Sequence, residues 1–206
     1  WVQAAASDDL SRQNARDDAA REALAIARRH GDRYGEAAAL NLIFRQHVDL
    51  ARRLHGLKQA LAAFTAAGNV SGQSAIYNNL ALAYRALGLY RRSDRMALSA
   101  LDIRRRLGDI TSVSNLYAIL SGNANLARQF DAAWAWTDEL AAALPEVEDP
   151  AYHRSLPWGR GSTLLAQGDA AGALPLLEEA VRLTAATSAG EGFLVLMQTQ
   201  LAEAHL

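Results

Sequence analysis

A small residue followed by an aliphatic one returns along this chain at nearly constant intervals, and that period constrains the fold more than any other feature. Ala23-Leu24, Ala60-Leu61, Ala100-Leu101 and Ala180-Val181 carry it, with Leu140-Ala141 inverted, at successive spacings of 37, 40, 40 and 40 residues. The segments that follow are in phase as well: Arg28-Arg29-His30-Gly31-Asp32, Ala66-Ala67-Gly68-Asn69 and Arg105-Arg106-Leu107-Gly108-Asp109. A glycine at this place reads as a left-handed helix cap, and arginines before it suit the negative end of a helix. Self-similarity at such a period marks stacked units, none of which buries its apolar side alone.

Each period holds two amphipathic helical stretches, because apolar residues fall at i, i+3, i+4 and i+7 and no strand-like alternation appears. In the clearest copy the first stretch carries Tyr77, Leu80, Ala81 and Tyr84, and Gly88 breaks it. The second carries Tyr90, Ser93, Ala97, Ala100 and Leu101. Small residues at these phases let two helix axes come close, and a short connection makes the helices antiparallel neighbours. Each period is therefore expected to be a helical hairpin.

The pattern Tyr77-x2-Leu80-Ala81-x2-Tyr84, then Gly88-x-Tyr90-x2-Ser93-x3-Ala97-x2-Ala100-Leu101, resembles the tetratricopeptide repeat family. Tyr117, Leu120, Ser121, Phe130, Ala133 and Pro145 repeat it in the next copy, and Gly168, Ala170, Ala173, Leu177 and Ala180 in the fourth. The copies depart from the pattern at three places. Arg53 stands where a small residue is usual, in a first copy three residues short; Pro157 replaces an aromatic; and Pro175 falls inside a second helix, where it is expected to kink the axis. The period of about 40 residues with a Gly-Asp corner is similar to the long repeats of bacterial regulators and kinesin light chains. The resemblance implies an all-α fold, a right-handed superhelical solenoid of antiparallel helix pairs. Residues 1–206 then form one solenoid domain, cut from a longer protein. Its expected units are a half repeat at 10–32, full repeats at 33–69, 70–109, 110–149 and 150–189, and a half repeat at 190–206.

Composition narrows the function. Half of the 206 residues are hydrophobic and 21% are charged, enough for a buried core throughout. A formal charge of −1 provides no field to attract nucleic acid or an anionic membrane. The apolar run Phe193 to Met197 is far short of the roughly 20 residues of a membrane span. Zero cysteines exclude disulfides and thiolate metal sites without fixing the compartment. The cytoplasm is the expected location, with an extracytoplasmic one left open.

Catalytic and metal chemistry find no constellation, so no enzyme, metal or cofactor is expected. The histidines His30, His47, His55, His153 and His205 offer no i, i+4 metal pair, and His47 and His205 share the packing phase of Tyr84. The adjacent carboxylates Asp8-Asp9 and Glu178-Glu179 point to different sides of a helix. Gly159-Arg160-Gly161-Ser162-Thr163 lacks the lysine of a phosphate loop and reads as a small-residue stretch of a packed helix. Arg104-Arg105-Arg106 reads as a helix-end cap and solvent face.

In a curved stack of hairpins the first helices line the concave side, and the resemblance places ligand contacts there. If Tyr77, Leu80, Ala81 and Tyr84 face neighbouring helices, then Asn78, Leu82 and Arg85 face the groove. The same phase gives Asn41 and Arg45 in the first copy, Asn115 and Asn125 in the third and Trp158 in the fourth. An asparagine amide pairs with a peptide backbone as donor and acceptor, and a guanidinium fork takes a carboxylate or phosphate. The alternative is that the asparagines bridge helices and the arginines pair with acids such as Asp49 and Glu36. Lys58, the only lysine, lies on a second helix, which disfavours the chaperone-tail type of site.

The chain is thus expected to bind a protein or peptide as the sensing or docking region of a bacterial multidomain regulator. The competing reading is a self-association scaffold, a homo-oligomer joined through exposed solenoid ends such as the last helix, Leu194 to Leu206. Size measured across concentration separates the two.

Overall fold

In a computed structural model the chain is described over residues 2–185 and 191–205, with side chains described for 15–185, 195 and 197–205. Asp8, Asp9, Phe193 and Leu194 lie outside the described side chains. Ten α-helices are present among the described residues: α1 (Val2–His30), α2 (Arg33–Phe44), α3 (Leu50–Ala66), α4 (Val70–Ala86), α5 (Tyr90–Arg106), α6 (Ile110–Leu126), α7 (Phe130–Ala143), α8 (Ser155–Gln167), α9 (Ala170–Ala185) and α10 (Glu191–Ala204). Two 3-10 turns, Leu144–Glu146 and Pro150–Tyr152, join α7 to α8.

The repeated corner explains why the helices alternate in direction. Gly108 has φ 67° and ends α5 in the left-handed region that glycine enters without strain. The next residue closes both helices: Asp109 N–H donates back to Arg104 O at 3.1 Å, and its carboxylate accepts from Ser112 N–H at 3.0 Å in the first turn of α6. Asp32, Asn69 and Asp169 repeat this double role, accepting from Gly35, Gly72 and Gly172 N–H. Two orphan sets of helix-end groups are satisfied by one residue pair, so the corner is two or three residues long. Arg128, φ 56°, takes the glycine's place between α6 and α7 and lies over the Phe130 ring at 5.4 Å.

The helices fall into two compact units, Trp1–Gly88 and Leu89–Leu206. In the first unit α1 packs on α2, α2 on α3 and α3 on α4. Its buried centre includes Leu40, Leu57, Ile76 and Leu80, with Ala37, Ala60, Ala81 and Ala83 giving close helix approach. In the second unit successive helices from α5 to α10 pack on each other, and α8 also reaches α6 and α10. Leu116, Leu120, Leu140, Leu177 and Met197 are fully buried there. Each such side chain contributes about 1.5–3 kcal/mol relative to exposure.

The periodic marker residues occupy this core at four of five places: Ala60, Ala100, Leu140 and Ala180 are buried, whereas Ala23 is exposed. The face of α1 that packs carries Ala20 and Ala27. Pro157 sits in the first turn of α8, where no intrahelical N–H bond is lost. Pro175 lies inside α9, which continues to Ala185, and is exposed. Arg53, at the phase of a small residue, has its Nε buried with no hydrogen-bond partner among the described residues, and burial lowers its pKa.

Candidate functional site

On the first unit, helical spacing puts Asn41 and Arg45 on one side of α2 and its end, and Asn78, Leu82 and Arg85 on one side of α4. The structure joins the two helices through a residue that phase alone did not select. Asn79 Nδ2 donates to Asn41 Oδ1 at 2.8 Å, and Asn78 Nδ2 donates to Asn79 Oδ1 at 3.5 Å. All three amides are half-buried. Asn78 and Asn41 therefore belong to one amide chain with Asn79 in the middle. The signal for Asn79 was the Asn78-Asn79 dipeptide itself, which offers amides on two neighbouring phases.

Arg45 is exposed and forms the C-cap of α2, its backbone N–H bonded to Asn41 O at 2.9 Å. The two acids nearest in sequence pattern, Glu36 and Asp49, are engaged elsewhere. Glu36 accepts from Arg28 at 3.0 Å and Arg33 at 2.9 Å; the Arg28 hydrogen bond, with Arg33 beside it, lowers the Glu36 pKa against the opposing effect of burial. Asp49 caps α3, accepting from Ala51 and Arg52 N–H, and pairs with the Arg52 side chain at 3.6 Å. The Arg52 N–H is the main cause of its lowered pKa. Leu82 and Arg85 are half-buried, and Arg85 has contacts of its own.

On the second unit, Asn115 and Asn125 are half-buried on α6, and Asn125 Oδ1 is buried without a hydrogen-bond partner among the described residues. Trp158 on α8 packs against the cluster of Ala173, Leu177 and Ala204, and its Nε1 donates to Gln200 of α10. Ser162, one turn further, donates to the same Gln200 oxygen at 2.8 Å. Trp158 is thus tied into the α8 to α10 packing while remaining half-buried. A second residue passed over by phase, Asn123, is fully buried and donates to Ser93 Oγ at 2.7 Å and Asp94 Oδ1 at 2.8 Å. It occupies the register of Ala83, 40 residues earlier, and a polar residue at a buried phase was the signal.

The residues discounted for chemistry have structural places. His47 lies in the bend after α2, tilted against the Phe44 ring at 5.8 Å, with Nδ1 accepting from Asp49 N–H at 3.1 Å. His205 is exposed beyond the end of α10, so the packing role expected from its phase is corrected: the helix ends before it. A β-carbon on Gly161 would meet Leu177 at 3.0 Å, and one on Gly159 would meet Thr137 at 3.1 Å, which is why this stretch of α8 is small. Arg104 pairs with Asp109 at 2.9 Å, and Arg105 lies over Tyr117 at 5.5 Å and 3.6 Å from Glu139. Among the described residues no group of three His, Asp or Glu side chains converges as metal ligands do, and no helix is long and apolar enough to cross a membrane.

Residues 74–107, from within α4 through α5, match the family model of the tetratricopeptide repeat. The chain carries a tetratricopeptide repeat. Repeats of this family are non-catalytic units of protein interaction. Among solved structures the chain is similar to BtubC (BKLC) from P. vanneervenii, at a TM-score of 0.67 and 20% identity, covering 89% of this chain and 78% of that one. At that identity the likeness concerns the fold, an all-α array of tetratricopeptide-like helix pairs. No curated protein matches the sequence.

Proposed function

We propose that this chain binds an extended segment of a partner protein along the exposed sides of its first helices. On the first unit, Asn41 and Asn78 pair with the peptide backbone, Leu82 supplies apolar contact, and Arg45 and Arg85 meet a carboxylate or phosphate of the segment. On the second unit, taken by itself, the amides of Asn115 and Asn125 offer backbone pairing and Trp158 an apolar anchor. The observation that carries this reading is the Asn79 to Asn41 hydrogen bond of 2.8 Å. It holds half-buried amides of two first helices in fixed register, beside an Arg45 that neither Glu36 nor Asp49 engages. The Asn41 amide nitrogen remains a donor at the end of that chain, and preorganised donors reduce the ordering loss of binding.

The setting we propose is the sensing or docking region of a bacterial multidomain regulator. The period of about 40 residues, and 20 arginines against one lysine (21 basic residues less Lys58), support that setting. A displayed library of random peptides, with and without acidic or phosphorylated residues, tests the function. Selection of acidic or phosphorylated peptides that bind at about micromolar affinity, and more weakly as salt rises, is expected. A library that returns no binder, or binders indifferent to charge, contradicts the assignment.

A further inference from the structure

The three residues that the first full repeat lacks are missing from the end of its first helix. Leu50 opens α3 40 residues before Tyr90 opens α5, whereas Arg33 opens α2 only 37 before Val70 opens α4. Accordingly α2 has 12 residues where α4 and α6 have 17. Where that last turn is lacking, a cavity of about 450 Å³ lies between α1, the end of α2 and the start of α3. Ile43 and the Phe44 ring provide its apolar surface, and its polar side chains are Arg21, His47, Arg52 and His55.

Every one of those polar side chains presents a donor. A backbone N–H only donates, so Asp49 N–H fixes His47 Nδ1 as acceptor and the proton of the neutral ring on Nε2. With the Gln59 amide nitrogen, 3.1 Å from His55 Nε2, as the donor, the His55 ring proton is on Nδ1. No acceptor is present for either ring N–H among the described residues. Arg21 and Arg52 are steadied by Asp18 at 2.9 Å and Asp49 at 3.6 Å, pairs exposed enough to leave further guanidinium N–H groups for a ligand. Among the described residues no carboxylate lines the cavity.

We infer that this cavity binds a small organic carboxylate, its apolar body on Ile43 and Phe44 and its oxygens accepting from His47 Nε2–H, His55 Nδ1–H and the two guanidinium groups. The volume is that of a small-molecule site, which spans roughly 300–1,000 Å³. An acceptor-rich head satisfies the donors, whereas an alcohol of the same shape matches them poorly and an amine leaves them unmatched. The inference is independent of the peptide-binding reading, since it uses neither Asn41 nor Asn78.

Titration of the labelled full chain with phenylbutanoate, followed by the ring signals of His47 and His55 in NMR, tests it. Saturable shifts of both rings are expected, with phenylbutanol binding at least about tenfold more weakly, a difference of about 1.4 kcal/mol. Arg52→Gln combined with His55→Phe should reduce carboxylate affinity by a similar factor, and Asn41→Ala should leave it unchanged. Absence of saturation, or equal binding of acid and alcohol, overturns the assignment; that comparison is made on the unaltered chain and does not depend on a variant folding.

Discussion

Gly56 on α3 lies so close to the ring of Phe44, the last residue of α2, that a β-carbon on it would stand 2.0 Å from Phe44 Cδ2. The absent side chain thereby sets how near the two helices of this hairpin come. Helix propensity alone would make Gly56→Ala stabilising by about 1 kcal/mol. Overpacking of a buried contact costs about 1–3 kcal/mol and opposes this, so the expected net effect is a loss of up to about 2 kcal/mol. Urea denaturation decides between them, and a gain in stability would contradict the packing argument.

Asn123 gives a second test, on the other unit. Its amide makes two hydrogen bonds, one buried at 2.7 Å to Ser93 and one part-buried at 2.8 Å to the carboxylate of Asp94. Hydrogen bonds to charged groups contribute more than neutral ones, so Asn123→Ala is expected to lose about 2–4 kcal/mol in thermal or urea unfolding. A change within about 0.5 kcal/mol would place the Asn123 amide outside the packing of α5 on α6.

Acid should selectively weaken the corner between α5 and α6. Burial by itself would raise the Asp109 pKa, but the Ser112 N–H and hydroxyl together with Arg104 outweigh it and hold the carboxyl below its usual value. A group lowered in the folded state stabilises above its unfolded value, about 3.9 for aspartate, and that stabilisation is lost as pH falls through the lower native value. Asp109→Asn keeps a capping oxygen and loses the charge. The variant is expected to be about 0.5–1 kcal/mol less stable at pH 7, with the difference shrinking below about pH 4. Paired denaturation series across pH measure this; a difference that stays constant through acidification would contradict the linkage.

The helix pairs were legible because burying small residues against one another requires them at fixed phase, and Ala60, Ala100 and Ala180 meet that requirement. The Gly-Asp corner was equally plain, since one glycine and one short acid close two helix ends. The candidate site was read less completely. A period names the phase that faces outward, yet hydrogen bonding couples adjacent phases, and so Asn79 was passed over beside Asn78. Trp158 was chosen by its phase alone, and no local pattern encodes the α10 neighbour whose Gln200 takes its N–H. His205 failed for another reason: its phase implied a helix that ends at Ala204.

Amides of successive first helices gripping a peptide backbone are the centre of the proposed function. The most direct measurement is the dissociation constant of a library-selected peptide for the unaltered chain and for Asn41→Ala with Asn78→Ala, with circular dichroism establishing that the variant is folded. A folded variant that binds at least about tenfold more weakly, about 1.4 kcal/mol, is the predicted result. Unchanged affinity in a folded variant would contradict the grip.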